Sequence, residues 1–159
     1  FSIYLMNILH LKKGEGIFQG AGLLHAYLEG QNIELMSNSD NVLRAGLSNK
    51  YIDIPELLAQ TSFDITIPNV LPVNTKGGQF YPSDSNDFSL HRIRLFSEEQ
   101  KLLNFAGPSI FLVMEGEAEW LGESPTSSKG VVAFFVEPNE QITVKACTEL
   151  DLFVATVPI

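Results

Sequence analysis

Ile142-Thr143-Val144-Lys145-Ala146-Cys147 is the stretch on which the fold turns. Ile142, Val144 and Ala146 fall on one face and Thr143 and Lys145 on the other, the period-two pattern of a strand with one buried side. Working outward, similar segments recur at 88–96, Ile110–Met114, Ala118–Leu121, Val131–Val136 and Leu152–Val157. Turn-forming pairs separate them. Glu115-Gly116 stands between two strands as a hairpin turn would, and Pro138-Asn139 stands between two more. Short strands in such succession predict an all-β sandwich or barrel.

Upstream, residues 64–87 carry Pro68, Pro72, Pro82 and Gly77-Gly78 with little periodicity, and read as a crossing between two lobes. Before that crossing, Asp53 is placed to cap a short helix beginning at Pro55, with Glu56, Leu57, Leu58 and Ala59 inside it. Residues 1–11 alternate as a strand and end in the turn Lys12-Lys13-Gly14. A short strand is expected around Gly16–Gln19, then a small-residue turn at Gly20-Ala21-Gly22. Another is expected over Gln31–Met36, with a turn at Ser37–Asn41 before Val42-Leu43-Arg44. No internal repeat is visible.

The 159 residues are 45% hydrophobic, enough for one sizeable core or two small sheet-built lobes, and too apolar for a disordered tail. Ten basic against 19 acidic residues give a formal net charge of -9. That field repels nucleic-acid backbones and anionic lipid surfaces, so no nucleic-acid or membrane partner is expected. A few local bases still suffice to hold a small phosphorylated substrate. The single cysteine, Cys147, permits no internal disulfide and suggests a reducing compartment. No apolar run approaches the ~20 residues of a membrane span, which makes a cytoplasmic location the expectation. Phe1 opens directly on apolar sequence that reads as the inside of a strand, so the sequence is expected to be a fragment.

Three histidines are present. His25 follows the glycine-rich turn, where a side chain can point into a barrel, and Glu34 lies across the Glu29-Gly30 turn from it. Histidine with carboxylate is a common catalytic zinc set, yet an isolated histidine is more often a hydrogen-bonded structural residue, and the spacing leaves both readings open. His10 and His91 sit in alternating strand sequence, and His91 beside Arg92 and Arg94 reads as facing solvent or a lobe interface. Arg44 can clamp an anionic oxygen or brace its loop by pairing with Asp40. Lys50 is either a phosphate contact or a solvated loop lysine.

The run Gly20-Ala21-Gly22-Leu23-Leu24-His25-Ala26-Tyr27-Leu28, with Glu34-Leu35-Met36 and Ser39-Asp40-Asn41-Val42-Leu43-Arg44-Ala45-Gly46-Leu47, resembles the signature region of type I mannose-6-phosphate isomerases. That family shows a Pro-His-Ala-Tyr-Leu box, then Glu-Cys-Met, then Ser-Asp-Asn-x-x-Arg-Ala-Gly-Leu-x-x-Lys. The resemblance covers essentially the whole chain and is specific in residues 14–50. Leu24 departs from the family's usual proline, and Ser48-Asn49 from its usual Thr-Pro, which loosens backbone restraint without removing a functional side chain.

The resemblance implies a cupin (jelly-roll) architecture: the end of a catalytic β-barrel lobe over 1–50, a short helix and Pro/Gly-rich linker over 51–87, and a second, non-catalytic β-barrel lobe over 88–159. It implies one Zn2+ per complete catalytic lobe, held by a Gln-x-His pair, a Glu and a later His. The later His corresponds to His25, and the other ligands are expected upstream of residue 1. Arg44, Glu34 and Asp40 correspond to catalytic positions, and Tyr27, the box tyrosine, and Lys50, the lysine after the motif, to substrate-binding ones. The implied activity is carbohydrate metabolism, the interconversion of mannose 6-phosphate and fructose 6-phosphate through a cis-enediol, with a phosphorylated hexose as substrate. A missing N-terminal portion of the same protein is the implied partner, and the fragment alone is expected to be inactive. A non-catalytic sugar-binding or regulatory cupin is the alternative. An oxygen-using cupin is disfavoured, because it needs histidines converging on iron, and His10, His25 and His91 are scattered.

Overall fold

The computed structural model describes residues 2–39, 41–46, 48–74, 78–122 and 125–158. In chain order the elements are α1 (Ser2–Leu5), β1 (Gly16–Ile17), α2 (Ile54–Gln60), β2 (Val70–Leu71), β3 (Gln79–Tyr81), β4 (Ser89–Leu95) and β5 (Gln100–Asn104). Then follow β6 (Ser109–Glu115), β7 (Glu117–Leu121), β8 (Thr126–Lys129), β9 (Val132–Val136), β10 (Gln141–Ala146) and β11 (Leu150–Thr156).

From β4 onward the chain behaves as one long antiparallel ribbon folded back on itself. β7 pairs with β8, β6 with β9, β5 with β10 and β4 with β11. Two further ladders, β6 with β11 and β7 with β10, gather the ribbon into a five-stranded sheet ordered β3-β4-β11-β6-β9 and a four-stranded sheet ordered β5-β10-β7-β8. This is the strand order of a double-sheet jelly roll. Among the described residues the two sheets remain separate ladders, so the architecture is a sandwich and not the closed barrel expected from the resemblance.

β10 keeps the expected pattern, with Ile142, Val144 and Ala146 buried. They meet Phe111 and Val113 of β6, Trp120 of β7 and Leu150, Leu152 and Val154 of β11 in a single core. Burying each such large side chain is worth about 1.5–3 kcal/mol. Aromatic packing fixes one end: the Trp120 ring meets the Phe134 ring edge-on at 4.7 Å between centroids, and its Nε1 donates to Ser128 Oγ at 2.8 Å.

Glu115-Gly116 and Pro138-Asn139 differ from the expected hairpin turns. β6 and β7 lie in different sheets, as do β9 and β10, so each pair turns a corner of the sandwich. Gly116 is required at its corner: it has φ +102°, and a Cβ there would overlap Glu149 O. β2, β3, β5 and β8 were not expected: β2 and β3 are two and three residues long within the Pro/Gly-rich crossing, with β3 the edge of the five-stranded sheet, and β5 and β8 carry mainly exposed, polar residues, which hides their alternation.

Upstream, α2 matches its expectation. Asp53 Oδ1 accepts from the Glu56 amide at 3.1 Å, Pro55 lies in the first turn, and Thr61 Oγ1 donates to Leu57 O at 2.7 Å as the helix ends. The strand expected over 1–11 is instead the helical turn α1 followed by irregular chain, and neither 31–36 nor 42–44 forms a strand. A strand leaves its backbone groups unpaired unless a neighbour supplies the ladder, whereas a helical turn pairs its own. The strand expected around 16–19 shortens to β1, which pairs with β2. No helix among the described residues is long and apolar enough to cross a membrane.

Candidate functional site

His25, Tyr27 and Glu34 form one chain of contacts. The His25 ring meets the Tyr27 ring edge-on, 6.1 Å between centroids, and Tyr27 Oη donates to Glu34 Oε1 at 2.9 Å. These residues stand on irregular chain that is stitched to the exit of α2, where the Ser62 amide donates to Gly22 O at 2.9 Å. Partial burial and, second to it, the Glu34 carboxylate raise the Tyr27 pKa above its ordinary value, so the phenol keeps its proton and stays a donor.

The tautomer of His25 follows from its neighbour. His25 Nδ1 lies 2.9 Å from Leu23 O, and a carbonyl oxygen only accepts, so Nδ1 carries the proton in the neutral ring. The lone pair is thereby left on Nε2, the arrangement in which a backbone carbonyl orients a metal-binding histidine. His25 thus fits a zinc ligand in its donor chemistry. Among the described residues no three of His, Cys, Asp and Glu converge on a site of metal size.

Arg44 and Lys50 are not drawn into this contact chain. Arg44 is exposed and makes no hydrogen bond or ion pair among the described residues. Asp40 lies outside the described residues, and the expected Arg44–Asp40 pairing with it. Lys50 is exposed, and its amide donates to Ser48 Oγ at 3.1 Å.

Two features escaped the sequence. His91, expected to face solvent or a lobe interface, lies half-buried between Phe80 and Phe105, with ring centroids at 5.1 and 5.2 Å. It lines a groove of about 270 Å³ where β3 and β4 face β5 across the open side of the sandwich. Burial lowers its pKa and favours the neutral ring. On the outer face of the same sheet, Arg92 makes a two-pronged ion pair with Asp151, at 2.7 and 2.6 Å, and both residues are buried. Asp151 stands in the apolar run Leu150-Asp151-Leu152-Phe153-Val154, and a charge inside such a run is the signal that marks a buried pair.

The strand order and the buried ladder define a cupin-like β-sandwich. Among curated proteins, the mannose-6-phosphate isomerase of Escherichia coli K12 is 40% identical over 152 residues, covering 91% of this chain and 38% of that protein. The human mannose-6-phosphate isomerase is 30% identical over 174 residues, covering 97% of this chain and 39% of that protein. Among solved structures, mannose 6-phosphate isomerase from Salmonella typhimurium bound to substrate and a zinc atom superposes with a TM-score of 0.65 at 28% identity, covering 78% of this chain and 32% of that one. No protein-family model matches the chain. Homology therefore ties the chain to mannose-6-phosphate isomerases over a C-terminal-like part of their length. The chain spans about two-fifths of the length of the curated relatives it matches.

Proposed function

We propose that this chain is part of a zinc-dependent isomerase that interconverts mannose 6-phosphate and fructose 6-phosphate. The observation that carries the reading is the contact chain His25–Tyr27–Glu34, set within a sequence 40% identical to a mannose-6-phosphate isomerase. In this reading residues 1–50 are the end of a catalytic cupin lobe, 51–87 a helix and linker, and 88–159 a second, non-catalytic lobe. The remaining zinc ligands come from the part of the family's fold that the chain does not span. Zinc, when bound, supplies Lewis-acid polarisation of the sugar's carbonyl oxygen.

His25 offers Nε2 toward that metal. In the open-chain aldose a base removes the C2 proton and returns it at C1, while the hydroxyl proton passes from O2 to O1 through the cis-enediol. Glu34 is a candidate base, and the Tyr27 hydroxyl holds its carboxylate in one orientation. Arg44 sets fixed positive charge against the enediolate, its planar fork matching paired oxygens. Lys50 contacts the phosphate, and Asp40 orients Arg44. With Arg44, Lys50 supplies the local positive charge that an overall net of -9 lacks. The enzyme works in the cytoplasm.

Assay of the intact protein on mannose 6-phosphate, with and without chelator, tests the reading. Turnover that chelator abolishes and zinc restores is expected. Arg44→Ala is expected to lose turnover by at least about 100-fold with zinc still bound, the scale of one lost electrostatic contact in a transition state. Sugar binding without turnover in the intact wild-type protein overturns the isomerase in favour of a binding module.

A further inference from the structure

His25 stands on chain without regular secondary structure, so something else must set its distance from the sandwich. The turn Lys12–Gly16 provides the attachment. Tyr81 Oη donates to Gly14 O at 2.8 Å, joining residues far apart in sequence. Gly14 has φ +91° and lies so close over Arg92 that a Cβ would overlap Nη1, while a Cβ at Gly16 would come within 2.6 Å of Tyr81 Cδ1. Lys13 Nζ bonds Glu115 at 2.7 and 2.8 Å and stands 3.8 Å from Asp151 Oδ2.

Beneath the turn everything is fixed. Arg92 is held by both oxygens of Asp151, its guanidinium carbon stands 5.5 Å from the centre of the Phe153 ring, and Tyr81 stacks on Phe153 at 6.5 Å. The ladder between β11 and β6 shifts register between Asp151 and Leu152, so the acid belongs to a local irregularity of the sheet. Directly after the turn, β1 pairs with β2. The seat is therefore braced from several sides, and the segment that enters it leads within nine residues of Gly16 to His25.

We propose that Tyr81, Arg92 and Asp151 form a positioning latch: they seat the Gly14–Gly16 turn and thereby fix where the His25 segment stands against the sandwich. None of the three is a catalytic residue. The function of the latch toward zinc rests on the isomerase reading above; its effect on the chain does not.

Two substitutions of different strength probe the latch in the intact protein. Tyr81→Phe removes only the hydroxyl and keeps the ring stacked on Phe153. Gly14→Ala adds a Cβ where Arg92 stands, in a left-handed backbone conformation that disfavours it. Amide hydrogen exchange over residues 15–28 is the first measurement. It is expected to accelerate at least 10-fold in Gly14→Ala and about 3-fold in Tyr81→Phe, with exchange in 109–156 unchanged. Zinc affinity by chelator competition is the second, expected to weaken in the same order, while His25→Ala loses the zinc. Unchanged exchange over 15–28 in both variants overturns the latch. Faster exchange at unaltered zinc affinity, in a protein where His25→Ala does lose zinc, overturns its link to the site. Retention of zinc by His25→Ala instead overturns the isomerase reading, and the exchange result alone then decides the latch.

Discussion

In the sandwich, Val113, Val144, Leu150, Leu152 and Val154 keep no accessible surface, whereas Ile65 and Ile67 ahead of it are 97% and 91% exposed. Tyr4, Leu28, Tyr51 and Phe63 share the second fate. The two regions use the same kinds of side chain. They differ in whether the chain returns to cover them: from β4 onward every strand pairs with another running antiparallel beside it, while the described residues of 2–71 form a single ladder, the two-residue pairing of β1 and β2. The surface reflects this. A folded monomer of this 17.6 kDa mass exposes roughly 7,900 Å² by the usual scaling; this chain exposes 11517 Å². An alternating apolar pattern specifies a strand only where a partner closes the ladder.

The contrast is broken most severely at the buried ion pair. Asp151→Ala leaves the Arg92 guanidinium buried without its counter-charge, and is expected to destabilise the sandwich by about 3–5 kcal/mol. Replacing both, as Arg92→Met with Asp151→Leu, is expected to recover most of that loss, since no uncompensated charge remains. Denaturant unfolding followed by Trp120 fluorescence measures both. A single variant as stable as wild type would show that the pair is solvated and the seat loose.

Slightly smaller effects separate the two regions themselves. Leu152→Ala opens a cavity between the sheets and is expected to cost about 2–5 kcal/mol. Ile65→Ala removes an exposed side chain and is expected to stay within about 0.5 kcal/mol of wild type in the isolated chain. If Ile65→Ala proves as costly as Leu152→Ala, the first region has a core of its own and the comparison fails.

How much was legible follows the same division. The six segments read as strands in the second region all contain strands, because each buries alternate residues against a facing sheet, as β10 shows. The corner at Gly116 was visible as a turn and invisible as a change of sheet, since a glycine reports local φ and not the partner of the next strand. α2 was legible because the Asp53 cap and Pro55 act within one turn. The strands of 1–11 and 31–36 failed for want of partners. In the site, His25 and Glu34 were named from their places about the Glu29-Gly30 turn and Tyr27 by resemblance, but the ring contact of His25 with Tyr27 and the Tyr27 hydroxyl on Glu34 depend on how irregular chain folds back on itself. Arg92 and Asp151 are 59 positions apart, beyond any local signal.

Acid should weaken the sandwich at His91. Burial between Phe80 and Phe105 lowers the His91 pKa below its unfolded value. At neutral pH the ring is uncharged in both states and costs nothing. As pH falls below the unfolded value of about 6.5, the unfolded chain takes up the proton first, and stability declines until pH passes through the lower folded value. His91→Leu is expected to flatten stability between pH 7 and 5 relative to wild type. Equal slopes in the two proteins would put the acid sensitivity elsewhere.

The smallest expected effect lies at Tyr27, in the exposed region. Its phenol is expected to titrate above an ordinary tyrosine, and because burial is the larger cause and the Glu34 carboxylate the second, Glu34→Gln should bring the titration only part of the way down. Stability should move by no more than about 0.5 kcal/mol, since Tyr27 is only partly buried and Glu34 is exposed. Ultraviolet titration of wild type and Glu34→Gln, with Tyr27→Phe to assign the signal, measures the shift directly. A full return to the ordinary value would assign the shift to the carboxylate alone. An unchanged titration would mean that the hydroxyl and Glu34 do not meet in solution, and would remove the contact by which Tyr27 orients the candidate base.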